Sequence, residues 1–449
     1  MLVSVFRRTL LFVLPCALLA ATPLGPQLSL EDADAYVALL RENAVPFEDD
    51  GALDALILEA AQRNFVLLGE SSHGTHEFYT LRNGMCERLI ADHGFNAVIV
   101  EGDWDAAMQV NAYVKQLPGA PETAHEAVGH FTRWPGWLWN NEETAALAEW
   151  MRAFNEGKPR EKQAGFYGMD LYGVRGSMDA VLAFLEEVDP PAAREAEAAY
   201  ACLRPYAADL NPYAYALAQG KPPCTGQITA VLDLLRQREA QYRAHDATGY
   251  FHALQDAHVV KSAERLPHAL LESYNVQWNA RATHFADTVE RLAEFHGPGA
   301  KVIVKGHNTH IGDARATRMG PAGRKNVGQL LRERQGMEAV YAVGISTHRG
   351  KVMAAPAWGE PVQLMTTPPA VLGTLEDLMH RTGLGDFRML IRQELHDGLL
   401  SKVVGHRMIG AVNFPHWEEP NVYVATRMVQ RYDAFIFLEE TSALRTLGN

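Results

Sequence analysis

The sequence predicts an α/β protein, with a central, largely parallel sheet flanked by helices and a mostly helical insertion or cap. Three observations predict it. Short, uniformly apolar runs alternate with segments of helical spacing, the pattern of strands buried on both faces. Four of those runs break into polar, ionisable residues at their carboxyl ends. Residues 177–300 read as mostly helix, interrupted near Leu210–Gly226 by Asn, Pro and Gly.

Ser29–Glu42 and Asp54–Arg63 have helical spacing. Phe65–Gly69 is the first strand, and it breaks into Glu70-Ser71-Ser72-His73-Gly74. A helix follows through Leu81, Met85 and Leu89. Ala97–Val100 is the second strand, and Glu101, Gly102, Asp103 and Trp104 come after it. Asp103 has the residue type of an N-cap for the next helix. His125–Asn141 is rich in Gly, Trp and His and reads as a long surface loop near a site. Glu142–Glu156 is an amphipathic helix. Gly165–Met169, ending at Asp170, is the third strand, and Lys301–Lys305, ending before His307 and His310, is the fourth. Ala339–Ile345 and Ala434–Leu438 are further strands. The division expected is a leader at 1–22, core at 23–176, insertion at 177–300 and core again at 301–449.

The chain has 449 residues and a formal charge of −13, which disfavours nucleic acid and anionic membrane as partners. The charge says nothing about a small neutral or cationic substrate. Arg7 and Arg8 precede the apolar run Thr9–Ala21, which ends in small residues before Pro23. This is the pattern of a secretory signal, so a periplasmic or secreted location is expected, with the cytoplasm as alternative. Cys16, Cys86, Cys202 and Cys224 form no CxxC pair. Cys202 and Cys224 flank a Pro-rich loop, where a disulfide and two buried thiols are equally plausible; Cys86 reads as core.

Ligands of open α/β sheets bind beyond the carboxyl ends of the strands. Glu70 with His73, Glu101, Asp170, and His307 with His310 end four strands and are expected to converge there. No G-x-S-x-G elbow, HExxH element or phosphate-cradling glycine loop is present. Histidine and carboxylate remain. His73 and His76 are three apart, as are His307 and His310, a spacing that shares a helix face. A histidine can take a proton from water at neutral pH, and a carboxylate beside it holds its tautomer. The same residues would also suit zinc or manganese, so the set leaves two readings: metal-free hydrolysis or a metal site. His76 and Glu77 read as capping or solvated residues. His252, His258, His284 and His296 read as helix surface. Trp134, Trp137 and Trp139 either line a cleft or pack under a loop.

The segments LLGESSHGTHEFYTLR, VIVEGDW, WNAR and GHNTHIGD, in this order, resemble the erythromycin esterase family, which includes succinoglycan-biosynthesis-type homologues. The resemblance runs from Phe65 to the closing RYDAFIFLEET. It implies hydrolysis of an ester or macrolide lactone with no cofactor. Glu70 and His73 match the family's GExxH element, with His73 as the general base. Arg82 and Glu101 match its arginine and the glutamate after the next strand, and His307 and His310 its HNxxH element. Trp104, Asp170 and Arg281 are expected to contact substrate. Lys305, Gly306 and Ala282 depart from the family pattern and bear on substrate choice. A non-catalytic periplasmic binding protein is the reading from a different class. It leaves the gathering of His and Glu at strand ends unexplained.

Overall fold

The computed structural model describes residues 28–47, 50–413 and 422–447. The expected leader lies outside the described residues. Among them, no helix is long and apolar enough to cross a membrane.

Nine strands form one sheet. We number all strands in chain order: β1 Ala44–Pro46, β2 Phe65–Leu68, β3 Ala97–Asp103, β4 Gly165–Asp170, β5 Val302–Lys305, β6 Val340–Ala354, β7 Gln363–Thr367, β8 Phe387–Leu390, β9 Val404–Arg407, β10 Tyr423–Thr426 and β11 Ala434–Thr441. The order is β1-β8-β11-β6-β2-β5-β3-β4, with β7 paired to β6. From β11 to β4 every pairing is parallel. Only β8, β1 and β7 run antiparallel to their neighbours. β9 and β10 form a separate antiparallel pair.

The four strands expected to carry the site are β2, β5, β3 and β4, and they lie side by side. Leu68, Lys305 and Val100 sit level across β2, β5 and β3. The residues that follow them therefore leave the sheet at one height. A register irregularity between β3 and β4 from Val100 to Asp103 turns the end of β3 toward the same rim.

Alternation along each strand divides the core into two layers. Leu67, Ile99, Tyr167, Met169, Val302 and Val304 share a cluster with the helices between β4 and β5. Val66, Leu68, Val98, Val100 and Ile303 share another with the helices His76–His93 and Glu142–Asn155. The helical run expected at 177–300 begins at Val174 and ends at His296, and it packs against one sheet face. Cys202 and Cys224 are joined as a disulfide within it, and Cys86 is a free, buried thiol.

Several expectations change. β6 runs on to Ala354, beyond its apolar core, because pairing with β11 and then β7 continues past Thr347, and β3 reaches Asp103, which pairs with Asp170 past the irregularity at Glu101-Gly102. Strands β1 and β7–β10 carry too little apolar patterning to be read from sequence. The loop 125–141 contains the helix Ala124–Gly129 and a turn at Gly136–Leu138. His284 is buried, and His252, His258 and His296 are half-buried rather than on the surface. Burial holds the imidazoles of His252 and His296 at pKa values of about 4. Helical spacing alone does not reveal that these helices are covered on their second face.

Candidate active site

β2 ends at Leu68, and the chain runs through Gly69 and Glu70 to a turn at His73-Gly74. A Cβ on Gly69 would collide with the Asn308 side chain and crowd the Val343 carbonyl, so the glycine lets the loop enter between β5 and β6. Glu70 is wholly buried. Its Oε1 lies 2.9 Å from Nδ1 of His73, and its Oε2 accepts a hydrogen bond from Arg82 Nη2. Arg82 is also wholly buried, donates from Nε to the Phe78 carbonyl at 3.0 Å, and lies over the Tyr79 ring. The chain order is thus Arg82 holding Glu70, and Glu70 holding His73. A carboxylate on Nδ1 fixes the proton there and leaves the Nε2 lone pair free. His73 lines a cavity of about 420 Å³.

Glu101 enters the same cavity from β3. Its Oε1 lies 3.1 Å from His310 Nε2 and 3.4 Å from Arg281 Nη2. Its Oε2 accepts the His307 backbone N–H at 3.0 Å. His307 is the N-cap of the short helix Asn308–Ile311 that carries His310. The His307 and His73 rings lie 4.8 Å apart, and the His310 ring stacks on Trp278 at 4.9 Å. Thr309 N–H points at His307 Nδ1 at 3.3 Å, which leaves the neutral ring's proton on Nε2. Asp170 at the end of β4 binds Arg281 in a fork, 3.0 and 2.5 Å. Asp103 holds Arg133 the same way, 2.6 and 2.9 Å.

The charges push these groups apart. Burial works against a charged His73, but the Glu70 hydrogen bond and the Glu101 charge outweigh it and raise its pKa. Burial and the neighbouring His73 hold His307 well below the usual imidazole value. Burial would raise Glu101, yet His310, His73 and Arg281 hold it well below the carboxylate range. One imidazole of raised basicity thus faces one kept neutral and an ionised carboxylate, an arrangement that separates acid and base roles.

Of the residues expected here, His73, Glu101, Asp170, Arg281, His307 and His310 line one cavity. Glu70 stands directly behind His73. Two expectations are corrected. Arg82 does not reach the cavity, because its guanidinium is spent on Glu70 inside the core. It holds Glu70 from behind the cavity wall. Trp104, expected to contact substrate, does not line the cavity: it is wholly buried and stacks on Tyr167. The apolar ring is drawn to the sheet face, since the helix starting at Trp104 turns that residue inward. Asp103 does sit at the N-cap position, but its side chain goes to Arg133 instead of capping. His73 and His76 do not share a helix face, because the helix begins only at His76. His76 is bonded to Glu143, and Glu77 accepts hydrogen bonds from Ser442, so both tie the fold together. Of the three tryptophans, Trp139 lines the cavity and donates to the Glu101 carbonyl at 2.8 Å, while Trp137 is core. Trp134 packs on Trp358.

Sequence reasoning missed Arg133, Tyr172, Tyr274, Arg318 and Arg324 in the cavity wall. Arg133 stands in the loop singled out for its composition, which was a usable signal. The other four carry no motif. Among the described residues, the group with ligand atoms close enough for one metal ion is His348, His380 and Glu439, none of which lines this cavity.

A mostly parallel sheet with a buried His–carboxylate constellation at its carboxyl rim is an α/β fold with a candidate site beyond its strand ends. The erythromycin esterase family profile matches residues 90–441, and the chain belongs to that family. The matched span starts beyond Glu70, His73 and Arg82, so those three rest on their own motif and geometry. The fold is similar to a crystal structure of a succinoglycan biosynthesis protein, at 20% identity and TM-score 0.75, covering 94% of this chain and 100% of that one. A Bacillus cereus protein is similar at 18% identity and TM-score 0.78, covering 93% and 99%. A mutant of erythromycin esterase EreC in its open conformation is similar at 16% identity and TM-score 0.64, covering 88% and 95%.

Proposed function

We propose that the protein hydrolyses a carboxylic ester or lactone by direct attack of water activated by His73. The observation that carries this reading is the buried relay Arg82–Glu70–His73, which presents a basic nitrogen to the cavity. Water gives its proton to His73 Nε2 as its oxygen bonds to the carbonyl carbon. Glu70 and Glu101 stabilise the imidazolium that forms. His307, whose ring lies beside His73 in the cavity wall, stabilises the oxyanion, with His310 lining the same cavity. The tetrahedral intermediate then expels the alkoxide, which takes the proton back from His73. The products are a carboxylic acid and an alcohol, with no covalent enzyme intermediate.

No cofactor is required in this scheme. Both oxygens of Glu70 and both of Glu101 are already engaged by protein donors, which favours the metal-free route over a metal-dependent one using the same residues. A macrolide lactone is the substrate the family membership brings forward, with antibiotic resistance as the role. Export to the periplasm is supported by the leader pattern and by the Cys202–Cys224 disulfide.

The test is hydrolysis of a 14-membered macrolide and a panel of 4-nitrophenyl esters by chelator-treated protein, followed by mass and absorbance beside His73→Ala. Gain of one water by a substrate, lost in the variant, is the expected result. Full activity in His73→Ala would overturn the assignment. Activity that chelation removes and one metal restores would favour the metal-dependent reading.

A further inference from the structure

The cavity wall carries more positive than negative charge. Four arginines (Arg133, Arg281, Arg318 and Arg324) and three carboxylates (Glu101, Asp103 and Asp170) line it. The carboxylates are fully used. Arg133 takes Asp103, and Arg281 takes Asp170 and the edge of Glu101. Arg318 and Arg324 have no carboxylate partner among the described residues. Burial and the nearby Arg324 hold Arg318 below the usual guanidinium value, and no acid acts on it to compensate. Arg324 lies 5.8 Å from the Tyr274 ring, and its Nε is buried without a partner.

This pairing failure is local. The chain holds 54 acidic against 41 basic residues, so carboxylates are plentiful. Nearby arginines find them: Arg315 binds Asp313, Arg332 binds Asp433, and Arg334 binds Asp287 and Glu290. The segment bearing the two unpaired arginines is also built rigidly. Asn275 Nδ2 donates to the Ala322 carbonyl at 2.8 Å, Trp278 Nε1 to Lys325 at 2.6 Å, and Asn279 Nδ2 to Gly323 at 2.9 Å. Asn279 Oδ1 in turn accepts from Lys325 N–H at 2.8 Å. The Trp278-Asn279-Ala280-Arg281 motif therefore acts at both ends. Arg281 anchors the carboxylate rim, while Trp278 and Asn279 strap this segment over the cavity.

Two partly buried guanidinium groups that line one cavity wall without a carboxylate partner among the described residues would be favoured by a bound anion. We propose that Arg318 and Arg324 form an anion subsite, and that the substrate carries a carboxylate or phosphate besides its reacting ester. This rests on the hydrolase reading of the cavity and directs it to anionic esters, away from a macrolide, which carries neither group.

Two measurements test it. Binding of glutarate and of inorganic phosphate to His73→Ala protein is followed by calorimetry, beside the same protein with Arg318→Gln or Arg324→Gln. Separately, kcat/KM is compared for mono-4-nitrophenyl glutarate and neutral 4-nitrophenyl butyrate. We expect saturable binding of one or both anions, and a preference for the anionic ester. Either glutamine variant is expected to weaken anion binding and shrink the preference about tenfold or more, as for loss of a charge-assisted hydrogen bond. Arg318→Lys should restore part of both, which a collapsed loop would not. Whichever anion binds identifies the group recognised. Anion binding without turnover of any ester would sustain the subsite and overturn the hydrolase reading. Ester turnover without charge preference, and no binding of either anion, would overturn the subsite and leave the hydrolase reading standing.

Discussion

The loop after β2 and strand β9 each carry a histidine whose Nδ1 meets a glutamate. His73 lies 2.9 Å from Glu70, and His406 lies 2.6 Å from Glu376. Both glutamates are wholly buried. Yet burial, with Arg431 and Arg407 beside it, depresses the His406 pKa despite Glu376. Burial also opposes a charged His73, but there the second neighbour is the carboxylate of Glu101, and the pKa rises. The remaining nitrogens differ too. His406 Nε2 meets the Tyr432 hydroxyl at 3.2 Å, whereas His73 lines the cavity. Glu376 also accepts from Ser346 Oγ and from the Arg407 N–H, so it ties together β6, β9 and the helix Leu375–His380. A His–Glu contact therefore does not define a catalytic base. The sign of the next nearest charge, and whether the other nitrogen faces a cavity, separate the two pairs.

That contrast can be broken at either pair. The largest effect is expected for His73→Ala, which should lower kcat/KM by about 10²–10⁴, the usual weight of a general base. His406→Ala should change kcat/KM by no more than a few-fold, and equal losses at the two positions would end the comparison. Glu70→Gln should cost on the order of 10², because the amide no longer holds the imidazole tautomer or stabilises its cation. Steady-state kinetics on one ester measures all three. His406→Ala should instead lower stability by about 1–3 kcal/mol, the cost of leaving buried Glu376 short of a partner. Urea unfolding reads this, and His73→Ala should shift the midpoint less.

The subtlest expectation concerns pH. His73 acts as a base only when neutral, and its pKa is raised above the ordinary value of about 6.5. Activity should then fall as pH drops through a value above that, not below it. Because Glu101 helps raise this pKa, Glu101→Gln should move the acidic limb to lower pH. A limb that stays in place, or moves up, would separate Glu101 from His73 electrostatically. A pH–rate profile of kcat/KM for the two proteins decides it.

How far the site was readable follows from where its residues sit. Glu70, Glu101, Asp170, His307 and His310 stand just after short apolar runs, and a parallel sheet must bring such strand ends to one rim. Arg82 was legible as a motif residue but not as a buried support, because a helix position does not say which side chain will claim its guanidinium. Trp104 failed for a similar reason: its apolar ring fits a cleft or a core equally well. Arg318 and Arg324 belong to no periodic element. Long-range hydrogen bonds from Asn275, Trp278 and Asn279, and from the Arg318 N–H to the Ala425 carbonyl, bring their segment to the cavity.

The sequence by itself determined the α/β alternation, the buried β2, β3, β4 and β5, the helical run between β4 and β5, and the ionisable residues after each strand. Those are local properties, set by hydrophobic period and by the residue that breaks it. The tertiary structure alone decided the strand order, the antiparallel strands β1, β7 and β8, the pairing of Cys202 with Cys224, and which of two His–Glu pairs has an open nitrogen. These depend on contacts between segments far apart in the chain. Burial and neighbouring charge act through space, so they appear only once the chain has folded.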